Sequence, residues 1–129
     1  MVVAGLVFAA VAALIHVYIF YLESVVWTSR RTRALFGVAS EQDALTTRAL
    51  AFNQGFYNLF LAVAIVLGIV VIAAGGTAVG ATLVFTGAGS MIAASLVLVV
   101  SRPSMASAAL IQGLPPLLGV VALAIGIKF

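Results

Sequence analysis

The sequence contains no cysteine and a single histidine, and only 7% of its 129 residues are charged. Without cysteine, the chain has no disulfides, no thiolate chemistry and no cysteine-based metal site. One histidine does not supply the several nitrogen ligands that a protein zinc site uses, so we expect no metal centre. The scarcity of charge excludes an ordinary soluble domain, in which about a quarter of the residues are charged.

Apolar residues, by contrast, are abundant. They make up 65% of the chain, and the mean hydropathy is +1.34. A chain of this length forms one domain, and so small a domain buries too little of its surface to hide this much apolar material from water. We therefore predict an integral membrane protein that forms a single domain over residues 1–129.

Four apolar segments are long enough to cross a bilayer, which takes roughly 20 helical residues. They extend approximately over residues 2–27, 47–74, 81–100 and 106–127. The first segment lacks the basic start and the cleavage site of a signal peptide, so we interpret it as a retained helix. The predicted fold is all-α: a transmembrane four-helix bundle with the N and C termini on the same side of the membrane.

The loop between the first two segments is the longest polar stretch of the chain. In it, Ser40 is followed by Glu41 and Asp43, an order that is typical of a helix start with acidic residues in its first turn. We predict a short helical turn there that continues into the second segment.

The basic residues predict the orientation in the membrane. Five arginines fall on the side that holds the first and third loops: Arg30, Arg31, Arg33, Arg48 and Arg102. The positive-inside rule makes this side cytoplasmic and the termini external, as in a multi-pass protein of the inner (cytoplasmic) membrane. Because juxtamembrane arginines contact anionic head groups, we expect membrane lipids as partners and no nucleic acid.

Seven of the polar side chains inside the predicted segments are candidates for a site, because polar groups there are costly and usually face the bundle interior or a cavity. They are His16, Glu23, Asn53, Gln54, Tyr57, Asn58 and Gln112. His16 and Glu23 share a helical face and lie roughly 10 Å apart along the axis. All seven fall in the cytoplasmic half of their segments, so we predict that they line one polar cavity open to the cytoplasm.

Three functions are compatible with such a cavity. The first is binding or modifying a lipophilic small molecule, with the seven residues as ligand contacts and His16 or Glu23 as the acid or base of an enzyme. The residues do not decide whether the protein is catalytic. The second is a non-enzymatic structural or accessory membrane subunit, whose amides lock the helices together. The third and weaker one is an oligomeric transporter or channel.

Two stretches carry a family resemblance. HVYIFYLESVVW at residues 16–27 and NQGFYNLFLA at residues 53–62 resemble a family of small bacterial four-span membrane proteins that is grouped as a domain of unknown function. The likeness covers nearly the whole chain. It implies the architecture and supplies no activity.

A more distant resemblance is to the membrane-associated proteins in eicosanoid and glutathione metabolism, which also have four spans. It rests on RAL at residues 48–50 with Asn53 after it, and on RPSMASAALIQGLP at residues 102–115. This likeness implies the fold and a homo-oligomer, either a trimer or a dimer. Glutathione is the cofactor it implies, but Met105 to Ala109 replace the basic residue and tyrosine expected early in the fourth helix.

Overall fold

The computed structural model of the protein describes residues 1–127. The chain forms α1 (Val2–Phe20), a wide π-type turn that continues it (Tyr21–Val25), α2 (Arg30–Phe36), α3 (Glu41–Ala73), α4 (Thr77–Ser101), a 3-10 turn (Pro103–Met105) and α5 (Ala106–Gly126). No strand occurs within residues 1–127, so the predicted all-α class is confirmed. Four helical stretches are long and apolar enough to cross a membrane: Val2–Val25, Glu41–Ala73, Thr77–Ser101 and Pro103–Gly126.

The four long helices form a bundle in which each helix packs against two others. α3 packs against α4, α4 against α5, α5 against α1 and α1 against α3, whereas α1 and α4 have few contacts and lie diagonally. The start of α1 and the end of α5 meet where Gly126 lies against Val2. The predicted four-helix bundle with both termini on one side is therefore confirmed.

The interfaces between the helices are built on small residues. A Cβ atom added to Gly68 of α3 would lie 2.7 Å from the carbonyl oxygen of Gly80 of α4. The core cluster is dominated by alanine: Ala9, Ala12, Ala13, Ala62 and Ala88, with Ile65, Val84, Met91 and Leu123. Lipid tails are as apolar as these side chains, so helix association in a bilayer depends on this kind of close backbone packing.

Large apolar side chains cover the outer surface of the bundle. Among them, the exposed fraction of the side chain lies between 60 and 80% for Val3, Leu50, Phe60, Val100 and Leu110. An apolar surface of this extent is stable against lipid and not against water. The protein is therefore a multi-pass membrane protein.

α3 begins at Glu41, earlier than the predicted second segment. The Ser40 hydroxyl accepts a hydrogen bond from the backbone N–H of Asp43 at 3.0 Å, which caps the helix as predicted. The helix has 33 residues and is about 50 Å long at 1.5 Å per residue. The hydrocarbon core measures about 30 Å, so the first turns of α3 lie outside it.

Replacing the capping serine is expected to weaken the start of α3. We expect Ser40→Ala to lower the free energy of unfolding by about 1 kcal/mol, because one backbone donor loses its partner. Unfolding of the purified protein in micelles, followed by circular dichroism, measures the change. Ser40→Asn keeps a capping oxygen and serves as the control. An equal loss in both variants would show that the cap does not stabilise the helix.

The two arginine-bearing loops are tied together at one end of the bundle. The indole nitrogen of Trp27 donates to the carbonyl oxygen of Ala44 at 3.1 Å and to the Thr47 hydroxyl at 3.2 Å. The Trp27 ring also packs edge-on against Phe36, with centroids 5.2 Å apart. The Arg102 guanidinium donates to the carbonyl oxygen of Phe36 at 3.3 Å. α2 is therefore held between the start of α3 and the turn that leads into α5.

Candidate functional site within the bundle and on α3

His16 is buried in the bundle. Its Nδ1 lies 2.9 Å from the carbonyl oxygen of Ala12, one turn earlier in α1. Because a carbonyl oxygen only accepts, the hydrogen of this bond belongs to Nδ1. In the neutral ring, Nε2 is then the nitrogen that accepts.

The packing of α1 against α5 fixes the level of His16 in the bundle. The two helices are antiparallel, and Gly119 of α5 lies against Ala9 of α1. His16 is seven residues after Ala9, and Gln112 is seven residues before Gly119. An equal step along each helix therefore brings His16 and Gln112 to the same level.

α5 also provides free backbone acceptors at this level. The helix continues through Pro115 and Pro116 without interruption. Proline has no N–H, so the carbonyl groups four residues earlier, at Ile111 and Gln112, lose their helical partners. The Gln112 amide and these two carbonyl groups thus lie at about the level of His16 along α5.

Glu23 and Asn58 meet where α1 packs against α3. The Asn58 side-chain amide donates to Glu23 Oε2 at 2.8 Å, and it also lies 3.1 Å from the backbone carbonyl oxygen of Gln54. The Glu23 side chain is only 8% exposed. A buried carboxyl is costly unless it is hydrogen-bonded, so this contact is needed for Glu23 to occupy its place.

Glu23 lies within the π-type turn, where the chain contacts α3. In an unbroken α-helix, Glu23 would lie on the same face as Gly5, since eighteen residues are five full turns. Gly5 packs against Leu123 of α5. The wide turn, closed by the bond from Val26 N–H to the carbonyl oxygen of Tyr21 at 3.2 Å, adds a residue and so changes the helical phase around Glu23. His16 and Glu23 are both buried in the bundle; that they share one face stays a prediction.

Gly55 makes room for the π-type turn on α3. A Cβ atom at Gly55 would collide with the Ser24 hydroxyl and would lie 3.1 Å from Cβ of Glu23. The Ser24 hydroxyl donates to the carbonyl oxygen of Phe52 at 2.9 Å. Glycine at this position thus allows the two helices to approach closely enough for both hydrogen bonds between them.

Asn53 and Tyr57 lie on the outer face of α3, away from the bundle interior. Together with Phe56 and Phe60 they line a surface groove of about 260 Å³, which we call the α3 groove. Tyr57 is 66% exposed, and the side chain of Gln54 is exposed as well. The sequence alone predicts that Asn53, Gln54 and Tyr57 face a cavity in the bundle, whereas the structure places them at its surface.

One side of the α3 groove is backed by a row of phenyl rings. The Phe56 ring lies 5.0 Å from that of Phe20 in α1, 5.0 Å from that of Phe52 and 6.2 Å from that of Phe60, measured between centroids. These rings and Ser24 are absent from the sequence-based site. Phe52, Phe56 and Phe60 follow one another at intervals of four residues. This spacing is the sequence signal that indicates a shared helical face.

The predicted site residues therefore form three groups. His16 and Gln112 lie level on α1 and α5, Glu23 and Asn58 are hydrogen-bonded between α1 and α3, and Asn53, Gln54 and Tyr57 are exposed on α3. The structure brings Glu23 and Asn58 into direct contact, and Asn53 and Tyr57 into one groove. The Asn58 amide also lies 3.1 Å from the backbone carbonyl oxygen of Gln54, which connects the second group to the third.

These features define a small multi-pass membrane protein built as an all-α four-helix bundle. A family model described as "Protein of unknown function (DUF1304)" matches residues 10–124, and the chain belongs to this family. The predicted membership of a family grouped by a domain of unknown function is thereby confirmed. No curated protein and no solved structure matches the chain. The resemblance to the proteins of eicosanoid and glutathione metabolism stays a prediction.

Proposed function

We propose that the protein binds a lipophilic small molecule, with an apolar body and one polar group, in the α3 groove. The observation that supports this is the exposure of an amide and a phenol, Asn53 and Tyr57, beside phenyl rings on an otherwise apolar surface. In hydrocarbon these polar groups have no water to bond and need another partner. A molecule that is apolar except for one hydrogen-bonding group satisfies both parts of the groove.

The position of the α3 groove along the helix suits such a molecule. Trp27, which bonds to Thr47, is the kind of residue that lies at a membrane–water interface. Asn53 and Tyr57 come six and ten residues after Thr47, so they lie about 9 and about 15 Å further along the helix. The groove then opens within the hydrocarbon layer, which a lipid-soluble molecule enters by lateral diffusion.

The side chains of the groove indicate the polar group of the ligand. An asparagine amide has two donors and an acceptor, and a tyrosine hydroxyl both donates and accepts. A carbonyl or a hydroxyl group fits this set, and aromatic rings pack against either a saturated or an unsaturated body. The candidate acid and base, His16 and Glu23, are buried in the bundle, so the proposal is one of binding and names no reaction.

Photolabelling tests the proposal. A long-chain alcohol that carries a diazirine, incorporated into proteoliposomes, is expected to label residues around the α3 groove. Removing both polar groups in the double variant Asn53→Leu, Tyr57→Phe is expected to raise the half-saturating concentration at least tenfold, because two hydrogen bonds of about 1 kcal/mol each are lost. Mass spectrometry of the labelled peptides measures the extent of labelling and identifies the labelled residues.

A hydroxyl on another lipid-facing surface provides the control for labelling. Ser90 of α4 is exposed, and its hydroxyl bonds to the carbonyl oxygen of Thr86 in its own helix at 2.8 Å. Ser90→Ala should therefore label like the unaltered protein. Equal labelling in the control and the double variant would contradict a ligand site in the α3 groove.

A structural or accessory membrane subunit is the second candidate function, and a different observation favours it. Asn58 donates its amide to Glu23 on a neighbouring helix, which is how a polar residue locks a bundle. In this case the exposed polar groups of α3 would meet another copy of the chain, as in the predicted homo-oligomer. Because the chain has no cysteine, disulfide cross-linking of a Tyr57→Cys variant in membranes reports directly on that contact.

The transporter or channel alternative has its own test. A solute or ion flux into proteoliposomes that disappears in a His16→Ala variant would favour it over both other functions. A bundle that is folded and shows no flux would leave the binding and structural functions as the two candidates.

A further inference from the structure

Five arginines gather at the end of the bundle where α2 lies. We call them the arginine surface: Arg30, Arg31, Arg33, Arg48 and Arg102. They come from three separate parts of the chain, which the contacts of Trp27 with Thr47 and of Arg102 with Phe36 hold together. The surface is therefore a product of the fold and not of one basic stretch.

The charges of the arginine surface are only partly balanced within the chain. Glu23 is hydrogen-bonded to Asn58 in the bundle, which leaves Glu41 and Asp43 as the carboxylates at this end. The Asp43 carboxylate accepts from the Ser40 hydroxyl at 2.7 Å. Five positive charges thus face two negative ones, and an anionic partner is needed to balance the rest.

Two of the guanidinium groups are held in place by neutral acceptors. Arg33 Nε donates to the carbonyl oxygen of Thr28, and Arg102 Nη2 to that of Phe36, both at 3.3 Å. A backbone carbonyl fixes the position of a guanidinium group but leaves its full charge in place. Each guanidinium has five N–H donors, so most donors of Arg33 and Arg102 stay free for a second partner.

The end of α2 is shaped to accommodate Arg102. Gly37 ends the helix in the left-handed conformation with a φ of 66°. A Cβ atom at this position would lie 3.3 Å from Arg102 Nη2. The absence of a side chain there lets the guanidinium group approach the last carbonyl of α2, and Arg102 is exposed.

We infer that the arginine surface binds the phosphate groups of anionic phospholipids in the adjoining leaflet. Guanidinium and phosphate form bidentate hydrogen bonds between full charges, which are among the strongest that side chains make. Arg102 directly follows Ser101, the last residue of a span, so the group lies at the depth of the lipid head groups. Phospholipid is the partner because the surface sits where the head groups are densest. This interaction does not depend on a ligand in the α3 groove.

Lipid selectivity in proteoliposomes tests this inference. Electron spin resonance of spin-labelled phosphatidylglycerol and phosphatidylcholine measures which lipid is enriched around the unaltered protein. We expect phosphatidylglycerol to be preferred, and the preference to fall up to fivefold for each arginine replaced by glutamine. Arg102→Gln is the central variant, because it removes the positive charge and keeps an uncharged polar side chain. Arg102→Lys should retain part of the preference.

Two further measurements complete the experiment. One uses a variant that removes a negative charge, and the other uses a competing anion. Glu41→Gln removes a negative charge from the same end, so it should raise the preference for phosphatidylglycerol or leave it unchanged. Inorganic phosphate should compete no better than sodium chloride of equal ionic strength. Equal association of the two lipids with the unaltered protein would overturn the inference. So would displacement by inorganic phosphate alone, which would indicate a site for the free anion.

Discussion

Replacing Gly68 by valine is expected to disrupt the packing of α3 against α4 and to lower the free energy of unfolding by about 3 kcal/mol. A Cβ atom at Gly68 would lie 2.7 Å from the carbonyl oxygen of Gly80 and 2.9 Å from the backbone nitrogen of Val84. Both are backbone atoms of α4, and they move only if the whole helix moves. The added methyl groups then separate the helices over several turns.

Gly89 provides the matched control for this substitution. It lies in the same helix pair, in α4, and a Cβ atom there would meet nothing within 4 Å. Gly89→Ala should stabilise the protein by up to about 1 kcal/mol, because alanine favours the helix over glycine. Unfolding in bicelles, monitored by the loss of helical contacts, measures both variants. Similar free energies for Gly68→Val and the unaltered chain would show that the α3–α4 contact is not close-packed.

Replacing Asn58 by leucine is expected to have the second large effect, a loss of about 3 kcal/mol in the free energy of unfolding. The variant removes the donor at 2.8 Å from Glu23 Oε2 and leaves a buried carboxyl without a partner. Most of the loss arises from the unpaired acidic group. Adding Glu23→Leu to Asn58→Leu should therefore recover much of the stability, since replacing both partners of a bond by apolar groups costs little.

The double-variant cycle on Glu23 and Asn58 is measured by the same unfolding assay. Gln54→Leu is the control, because Gln54 is an exposed amide one turn away on α3. Its substitution should change the free energy of unfolding by much less than that of Asn58. Strictly additive effects of Glu23→Leu and Asn58→Leu would contradict the coupling between the two helices.

The architecture follows closely from the sequence because it depends on local properties. The length of an apolar run determines whether a helix crosses the bilayer, and the side chain of Ser40 caps α3 within its own first turn. Thr82 and Ser90 each donate a hydroxyl hydrogen bond to a carbonyl one turn back in α4, which is a local contact that serine and threonine commonly make within helices.

The sequence does not show which polar residues lie in the interior of the bundle and which lie at its surface. In a water-soluble helix, polar and apolar faces distinguish the surface from the core, but here both faces are apolar. Nothing in the residue types of Asn53 and Asn58 shows that one faces the membrane and the other faces Glu23. Small residues are the better guide in this protein, because Gly55 marks where α3 contacts α1 and Gly68 marks where it contacts α4.

The π-type turn at Tyr21–Val25 changes the rotational phase of the residues that follow it. A turn of this kind holds one residue more than an α-helix needs for the same rise. Residues on its two sides therefore follow helical phases that differ by about 100°, the rotation of a single residue. Gly5, well before the turn, lies against Leu123 of α5, and Glu23, within the turn, is hydrogen-bonded to Asn58 of α3. The direction of the Glu23 side chain thus depends on residue count as much as on side-chain chemistry.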